Sequence, residues 1–123
     1  MSGSVLADKS FSFAIRIVNA FKELKRRGCD ITLARQILKS GTSIGANICE
    51  ARNGRSDNDF IHKLSISQKE GAETEYWIKL LYATGYLNEK ESKSLTANVS
   101  ELNRMIRSTI LTKKQKGQQA KCS

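Results

Sequence analysis

The chain holds a single histidine, His62, three residues after Asp59, and other candidate acids are Glu50, Glu70, Glu73 and Glu75. Carboxylates and imidazoles facing inward from neighbouring helices are the donor set of a metal site inside a helical bundle, but the di-iron version draws on two Glu-x-x-His pairs. One imidazole cannot furnish two such pairs, so no metal and no cofactor are expected. Nucleophilic catalysis meets the same shortage: a Ser-His-Asp or Cys-His set has only His62 as its base, and no spacing brings a nucleophile to it. The acids are read as partners of Lys69, Arg52 or the cations of another copy, or as solvated groups. The run Ser40-Gly41-Thr42-Ser43-Ile44-Gly45-Ala46 has the glycine content of a phosphate cradle, yet it lacks the preceding strand and the Lys-Ser/Thr pair that must follow the last glycine. A non-enzymatic role is the expectation.

What the residues do offer is positive charge. Lys and Arg number 21 against 12 Asp and Glu, a formal net charge of +9, and so basic a surface attracts phosphates and other anionic partners. The charge is uneven: +4 through Gly28, +2 from there to Arg55, −2 to Gly85, +1 to Thr112 and +4 beyond. Lys9, Arg16 and Arg27, with Lys22 and Arg26 beside them, fall away from the apolar stripe of the first helical segment; Lys90, Lys93, Arg104 and Arg107 fall away from that of the last. If those helices are neighbours, the two faces make one cationic surface for RNA or DNA, with Arg52, Arg55 and the terminal lysines as lesser candidates. A face that serves only solubility fits the same residue types but not their clustering.

Cys29, Cys49 and Cys122 are odd in number, far apart and free of C-x-x-C pairing, which fits a reducing, cytoplasmic compartment and argues against a disulfide framework or a zinc cluster. Arg16, Lys22 and Glu23 interrupt the apolar stretch over 11–24, so neither a signal peptide nor a membrane span is expected.

Helices must position these groups. Proline is absent, and with it the strongest helix breaker. The spacing predicts four helices, over 8–27, 32–53, 57–84 and 89–112. Asp8 or Ser10 is expected to cap the first, with Ala14, Ile17, Val18, Phe21 and Leu24 inward and Gly28 as its stop. Thr32 is expected to cap the second, with Leu33, Ile37, Ile44, Ile48 and Ala51 inward. Ser56, followed by Asp57 and Asp59 at the positive end of the helix dipole, opens the third, which stops at Gly85. Asn88 and Glu91 make a capping box for the fourth, whose inward residues are Leu95, Val99, Leu102 and Ile106. Residues 113–123 read as a basic, disordered tail, leaving 1–112 as the one domain. Short connections favour an all-α, antiparallel, up-down-up-down four-helix bundle.

Two features call for a further partner. Gly41 and Gly45, each costing about 1 kcal/mol relative to Ala within a helix, lie four apart on one face and should admit a closely packed helix; Ser67, Gly71 and Thr74 on the third helix offer a matching small stripe. Along that third helix Ile61, Leu64, Ile78 and Tyr82 fall on one side while Ile66, Trp77, Leu80 and Leu81 fall largely on the other. One bundle core does not cover both sides, and the most economical cover is a second copy of the chain. Tyr76 and Trp77, whose rings are also suited to stacking on bases, are read as packing at that interface.

The stretches SGTSIGANICEA over 40–51 and DFIHKLSISQKEGAETEYW over 59–77 closely resemble the bacterial four helix bundle protein family, also called the 23S rRNA intervening sequence protein or S23 family. The similarity covers roughly 11–111, with Gly71 and Cys49 standing where the family more often has Ala or another small residue. The resemblance implies a reading frame carried in an insertion of a 23S rRNA gene, or a chromosomal relative of one. It also points to the accessory variability determinant of diversity-generating retroelements, a similar four-helix protein that forms a barrel-shaped homopentamer and associates with nucleic acid and a reverse transcriptase. A homopentamer, a nucleic-acid partner and a polymerase partner are thus what the resemblance implies for this chain; it carries over no catalytic residue.

Overall fold

A computed structural model gives the backbone of residues 3–122 and the side chains of residues 5–118. Four helices, α1 (Gly3–Arg26), α2 (Ile31–Arg52), α3 (Asp57–Ala83) and α4 (Glu89–Cys122), account for nearly all of it, and no strand occurs among the described residues. Gly28 and Gly85 close α1 and α3 with φ of 80° and 86°, a left-handed conformation that residues with a Cβ adopt only under strain. At the start of α3 the Ser56 hydroxyl accepts the Asp59 N–H at 3.1 Å. At the start of α4 the Asn88 N–H donates to Glu91 Oε1 at 2.9 Å and the Glu91 N–H to Asn88 Oδ1 at 2.8 Å, a reciprocal capping box.

Three element ends differ from the sequence expectation. Asp30, not Thr32, caps α2: its Oδ1 accepts the N–H groups of Thr32 at 2.9 Å and Leu33 at 3.3 Å. Helix α1 is already formed at Gly3, so Asp8 and Ser10 lie inside it, and the buried Ser10 hydroxyl donates back to the Ala7 carbonyl at 3.0 Å. Helix α4 does not stop near Thr112 but continues to Cys122. No proline or left-handed glycine interrupts it there, Lys and Gln are good helix formers, and Lys113 pairs with Asp57 at 3.2 Å while lying 5.3 Å from the centre of the Phe60 ring. Residues 113–122 are therefore a continuation of the last helix; Ser123 and the side chains after Gln118 lie outside the described residues.

Each helix packs on its neighbours in sequence, and α4 also touches α1. Between α1 and α2, Gly41 meets Ile17 and Gly45 meets Ser10. Between α2 and α3 the pairs are Glu50 with Lys63, Ile44 with Ser67 and Ser40 with Thr74. Between α3 and α4 they are Asp57 with Lys113, Gly71 with Asn103 and Glu75 with Ser100. In every set the numbers fall along one helix as they rise along the other. Leu6, Phe13, Ile17 and Leu24 from α1 meet Ile37, Ile44 and Ile48 from α2, Leu64, Ile78 and Leu81 from α3, and Leu102 and Ile106 from α4 in one core. Side chains of this size stabilise the fold by roughly 1.5–3 kcal/mol each when fully buried.

The small residues work across different seams from those expected. Gly41 and Gly45 admit α1, not α3: a Cβ on Gly41 would lie 2.7 Å from Ile17 Cγ1, and one on Gly45 would lie 3.3 Å from Ser10 Oγ. Ser67 and Thr74 face α2, where the Ser67 hydroxyl donates to the Ile44 carbonyl at 2.8 Å, whereas Gly71 faces α4. The inward line of α3 runs Leu64, Ser67, Gly71, Thr74, Ile78, Leu81. Leu81 belongs to the core of the single chain and Tyr82 does not; Val18, expected inward on α1, is likewise exposed. Trp77 is half-buried against the core, and Ile66 and Leu80 are half-buried.

Candidate nucleic-acid interface

Helix α4 packs closely on α3 and only lightly on α1, and cations span the light seam. Lys9 pairs with Glu101 at 3.1 Å. Arg16 donates to Asn98 Oδ1 and Ser94 Oγ, each at 2.8 Å. Arg27 donates to the Tyr86 carbonyl at 2.8 Å and grips Glu91 with two bonds of 2.8 and 2.7 Å. Arg26 and Arg27 also share Glu23 on their own helix. Hydrogen bonding from Arg26, supplemented by Arg27, holds the Glu23 carboxyl well below the usual range; Arg27, then the Asn88 N–H, does the same for Glu91. A guanidinium already bonded bidentately to a carboxylate has few donors left for a phosphate. Lys9, Arg16 and Arg27 thus join two helices, and Lys93 is occupied by Glu89 at 2.8 Å.

Lys22, Arg52, Arg55, Lys90, Arg104 and Arg107 form no ion pair among the described residues. Lys22 sits beside an outward apolar stripe of α1, Phe11, Ile15 and Val18, whose spacing of four and three residues puts them on one face. Arg52 and Arg55 stand at the turn between α2 and α3. Arg104 and Arg107 open on a groove of about 720 Å³ between α3 and α4, with Gln68, Ala72 and Glu75 on one bank and Asn103 and Leu111 on the other. Arg104 and Arg107 therefore look toward α3, while Lys22 flanks the outward stripe of α1 on the far side of the α1–α4 seam; the structure separates these residues, which the sequence suggested as one surface.

The floor of that groove is unusual. Asn103 Oδ1 is buried with no hydrogen-bond partner, and a Cβ on Gly71 would overlap it. The glycine leaves room for the amide to lie against the backbone of α3. Beside it, the Ser100 hydroxyl donates to Glu75 Oε1 at 3.2 Å.

Elsewhere the groups that could do chemistry stay apart. Among the described residues no three of His, Cys, Asp or Glu converge as a metal would need. Asp59 and His62 line a shallow hollow at the α2–α3 turn beside Glu50, which Lys63 holds at 3.2 Å. Burial, and then Glu73, push the Glu70 carboxyl up, against Lys39 and Lys69. Burial likewise raises the Cys29 thiol, helped by Asp30, whereas Cys49 is exposed. Among the described residues no helix is long and apolar enough to cross a membrane.

The family model described as "23S rRNA-intervening sequence protein" matches residues 4–108. The chain belongs to that family. It is similar to a solved structure from Bacteroides thetaiotaomicron VPI-5482, described as a protein with unknown function from the S23 ribosomal protein family. The identity is 46%, covering 85% of this chain and 97% of that one, with a TM-score of 0.83. Among curated proteins the chain has no match.

Arg104 and Arg107 fall inside the family match, and the lysines from Lys113 onward fall beyond it. The sequence offers both arginines as candidates and Glu75 only as one of the paired or solvated acids; it does not single out their groove companions Gln68, Ser100 and Asn103. The available signal was Asn103 itself, a polar residue next to the inward Leu102 and Ile106, eligible to sit at the edge of the core and opposite a glycine.

Proposed function

We propose that this family member is a non-enzymatic, cytoplasmic scaffold that assembles with copies of itself and binds RNA or DNA on its phosphates, with little sequence selectivity. The observation that carries the reading is the composition of α4 after Glu101: Arg104, Arg107, Lys114, Lys116 and Lys121, besides the Asp57-paired Lys113, with no carboxylate among them. The helix continues to Cys122, so at about 1.5 Å per residue the stretch from Arg104 to Lys116 lays charge along roughly 18 Å. Cations strung along a rod suit a repeating anionic backbone, whose neutralisation releases condensed counterions. A family description that speaks of an rRNA intervening sequence is in keeping with this setting.

Self-association is supported by Phe11, Ile15 and Val18, which are 67%, 50% and 38% exposed in a single copy. The form proposed is the antiparallel up-down-up-down bundle repeated as a homo-oligomer, a pentameric ring being the assembly that the sequence resemblance implies. The same apolar stripe favours a second reading, a scaffold for a protein partner such as a polymerase or reverse transcriptase.

The decisive measurement is binding of a labelled oligonucleotide across a salt series. Engagement of about four phosphates gives a log–log slope near −3 on a single strand, and Arg104→Ala with Arg107→Ala should flatten it by about 1.4. Binding that is absent at low salt, or indifferent to salt, would reject the reading.

A further inference from the structure

The groove between α3 and α4 carries the nucleic-acid reading further, and the inference below rests on it. Asn103 buries an amide oxygen without a partner at a place where an apolar side chain would pack at no polar cost. Leaving such a group unmet is unfavourable, and a ligand in the groove cannot reach it; what Asn103 can bring to the groove is its Nδ2 donor. Around it the groove gathers unlike chemistries. Arg104 and Arg107 only donate; Glu75 only accepts, and Ser100 uses part of its capacity; Gln68 does both, and Asn103, whose Oδ1 is buried, offers its Nδ2 donor alone. A bare phosphate would want donors alone and would be repelled by Glu75. A base edge wants donors and acceptors together, and its attached phosphate wants the guanidinia. Ala72 and Leu111, both exposed, supply an apolar surface for the flat of the base. The volume, about 720 Å³, lies in the range of small-ligand sites. A duplex spends the Watson–Crick edges in pairing and covers the base faces by stacking, so an occupant that offers both to the groove is unpaired.

We infer that this groove seats one nucleotide of a single-stranded nucleic acid, with Arg104 and Arg107 on the phosphate and Asn103, Gln68 and Glu75 on the polar edge of the base. Gly71 serves the site by leaving space for the Asn103 amide. An alanine there would push the amide into the groove.

The test uses the full chain and fluorescent single strands of RNA and of DNA of about twelve nucleotides, the matching duplexes, and a nucleoside monophosphate, all followed by anisotropy. Asn103→Ala and Gly71→Ala should each weaken single-strand binding by about tenfold, leave duplex binding and the salt slope unchanged, and leave the melting temperature equal or higher. An Asn103 that matters only to packing would show the reverse: a lower melting temperature and unaltered single-strand affinity, which would overturn the inference. Single strands that bind as before in both variants would overturn the groove assignment alone, whereas oligonucleotides that fail to bind the unaltered protein would remove the wider reading as well. A monophosphate that binds as tightly as the strand would make the groove a free-nucleotide site and overturn its assignment to a strand.

Discussion

Thr74 Oγ1 on α3 lies 3.0 Å from Ser40 Oγ on α2 and 2.8 Å from the Glu70 carbonyl oxygen, with both hydroxyl side chains buried. Thr74 has one proton to give. If it goes to the Glu70 carbonyl, Ser40 must donate to Thr74, since its other acceptor, the Ile37 carbonyl, is at a marginal 3.5 Å. The two hydroxyls then form a short relay inside the α2–α3 seam. Thr74→Val breaks it and strands the Ser40 hydroxyl, so a loss of about 1–3 kcal/mol is expected. Adding Ser40→Ala removes the stranded group, so the double variant should lose less than the two single losses added together. Denaturant unfolding of all four proteins measures the coupling.

Gly41 and Gly45 should respond differently to alanine. At Gly41 the new methyl enters the space of Ile17, which is fully buried and cannot withdraw; at Gly45 it meets Ser10 at 3.3 Å, a smaller intrusion. Helix propensity favours alanine by about 1 kcal/mol at each site, while overpacking costs about 1–3 kcal/mol. Gly41→Ala should therefore lower the unfolding midpoint more than Gly45→Ala, and its combination with Ile17→Ala, which removes the Cγ atoms the methyl would meet, should lose less than the two single losses added together.

Acid should loosen α4 from α1 through Glu91. Its carboxyl is held below the ordinary value of 4.5 by Arg27 first and the Asn88 N–H second. A depressed acid stabilises the fold at pH above its unfolded value, and that contribution fades as pH falls below about 4.5 toward the folded value. Urea midpoints measured downward from neutral pH should fall in this window, and Glu91→Gln should flatten the decline. Glu23, held at about 2 by Arg26 and Arg27, adds to the same slope. A Glu91→Gln profile parallel to the original would show that the pair makes no pH-dependent contribution.

Cys49 reports on self-association because it lies in the apolar groove where α1 meets α2, beside Phe11 and Ala46. In a Cys122→Ser background, maleimide should label exposed Cys49 much faster than Cys29, whose thiol is buried and raised in pKa. If copies meet across the α1 stripe, Cys49 labelling slows at high protein concentration. Phe11→Asp with Ile15→Asp should then restore it and reduce the mass seen by light scattering, with helicity unchanged. Labelling independent of concentration, with a single-chain mass throughout, would refute assembly through this face.

Much of this architecture can be read from residue order. Ser56 before two acids, the Asn88 and Glu91 pair, and glycines at 28 and 85 mark helix ends through local bonding, which needs no knowledge of the fold. Neighbour choice is less legible: four-residue spacing shows that Gly41 and Gly45 share a face, but not that the face belongs to α1. Helix α3 misled for a related reason. Its inward line passes through Ser67, Gly71 and Thr74, so counting apolar residues samples only its two ends and assigns Leu81 and Tyr82 to the wrong sides. The end of α4 was hidden because a polar, basic composition reads as loose chain, while Asp57 and Phe60, which Lys113 meets, are distant in sequence. Cation counting found Arg16 and Arg27 without revealing that Asn98, Ser94 and Glu91 already occupy them.

The light contact between α1 and α4 also bears on how the chain reaches its shape. The other three interfaces join consecutive helices, so each forms as a hairpin with a loop of only a few residues to close, the kind of local ordering that permits fast folding. Only the meeting of first and last helices brings distant parts of the chain together, and polar bonds do much of that joining. Hydrogen exchange should therefore find its lowest opening barrier along this seam, with the ring of helices parting there before any hairpin comes undone.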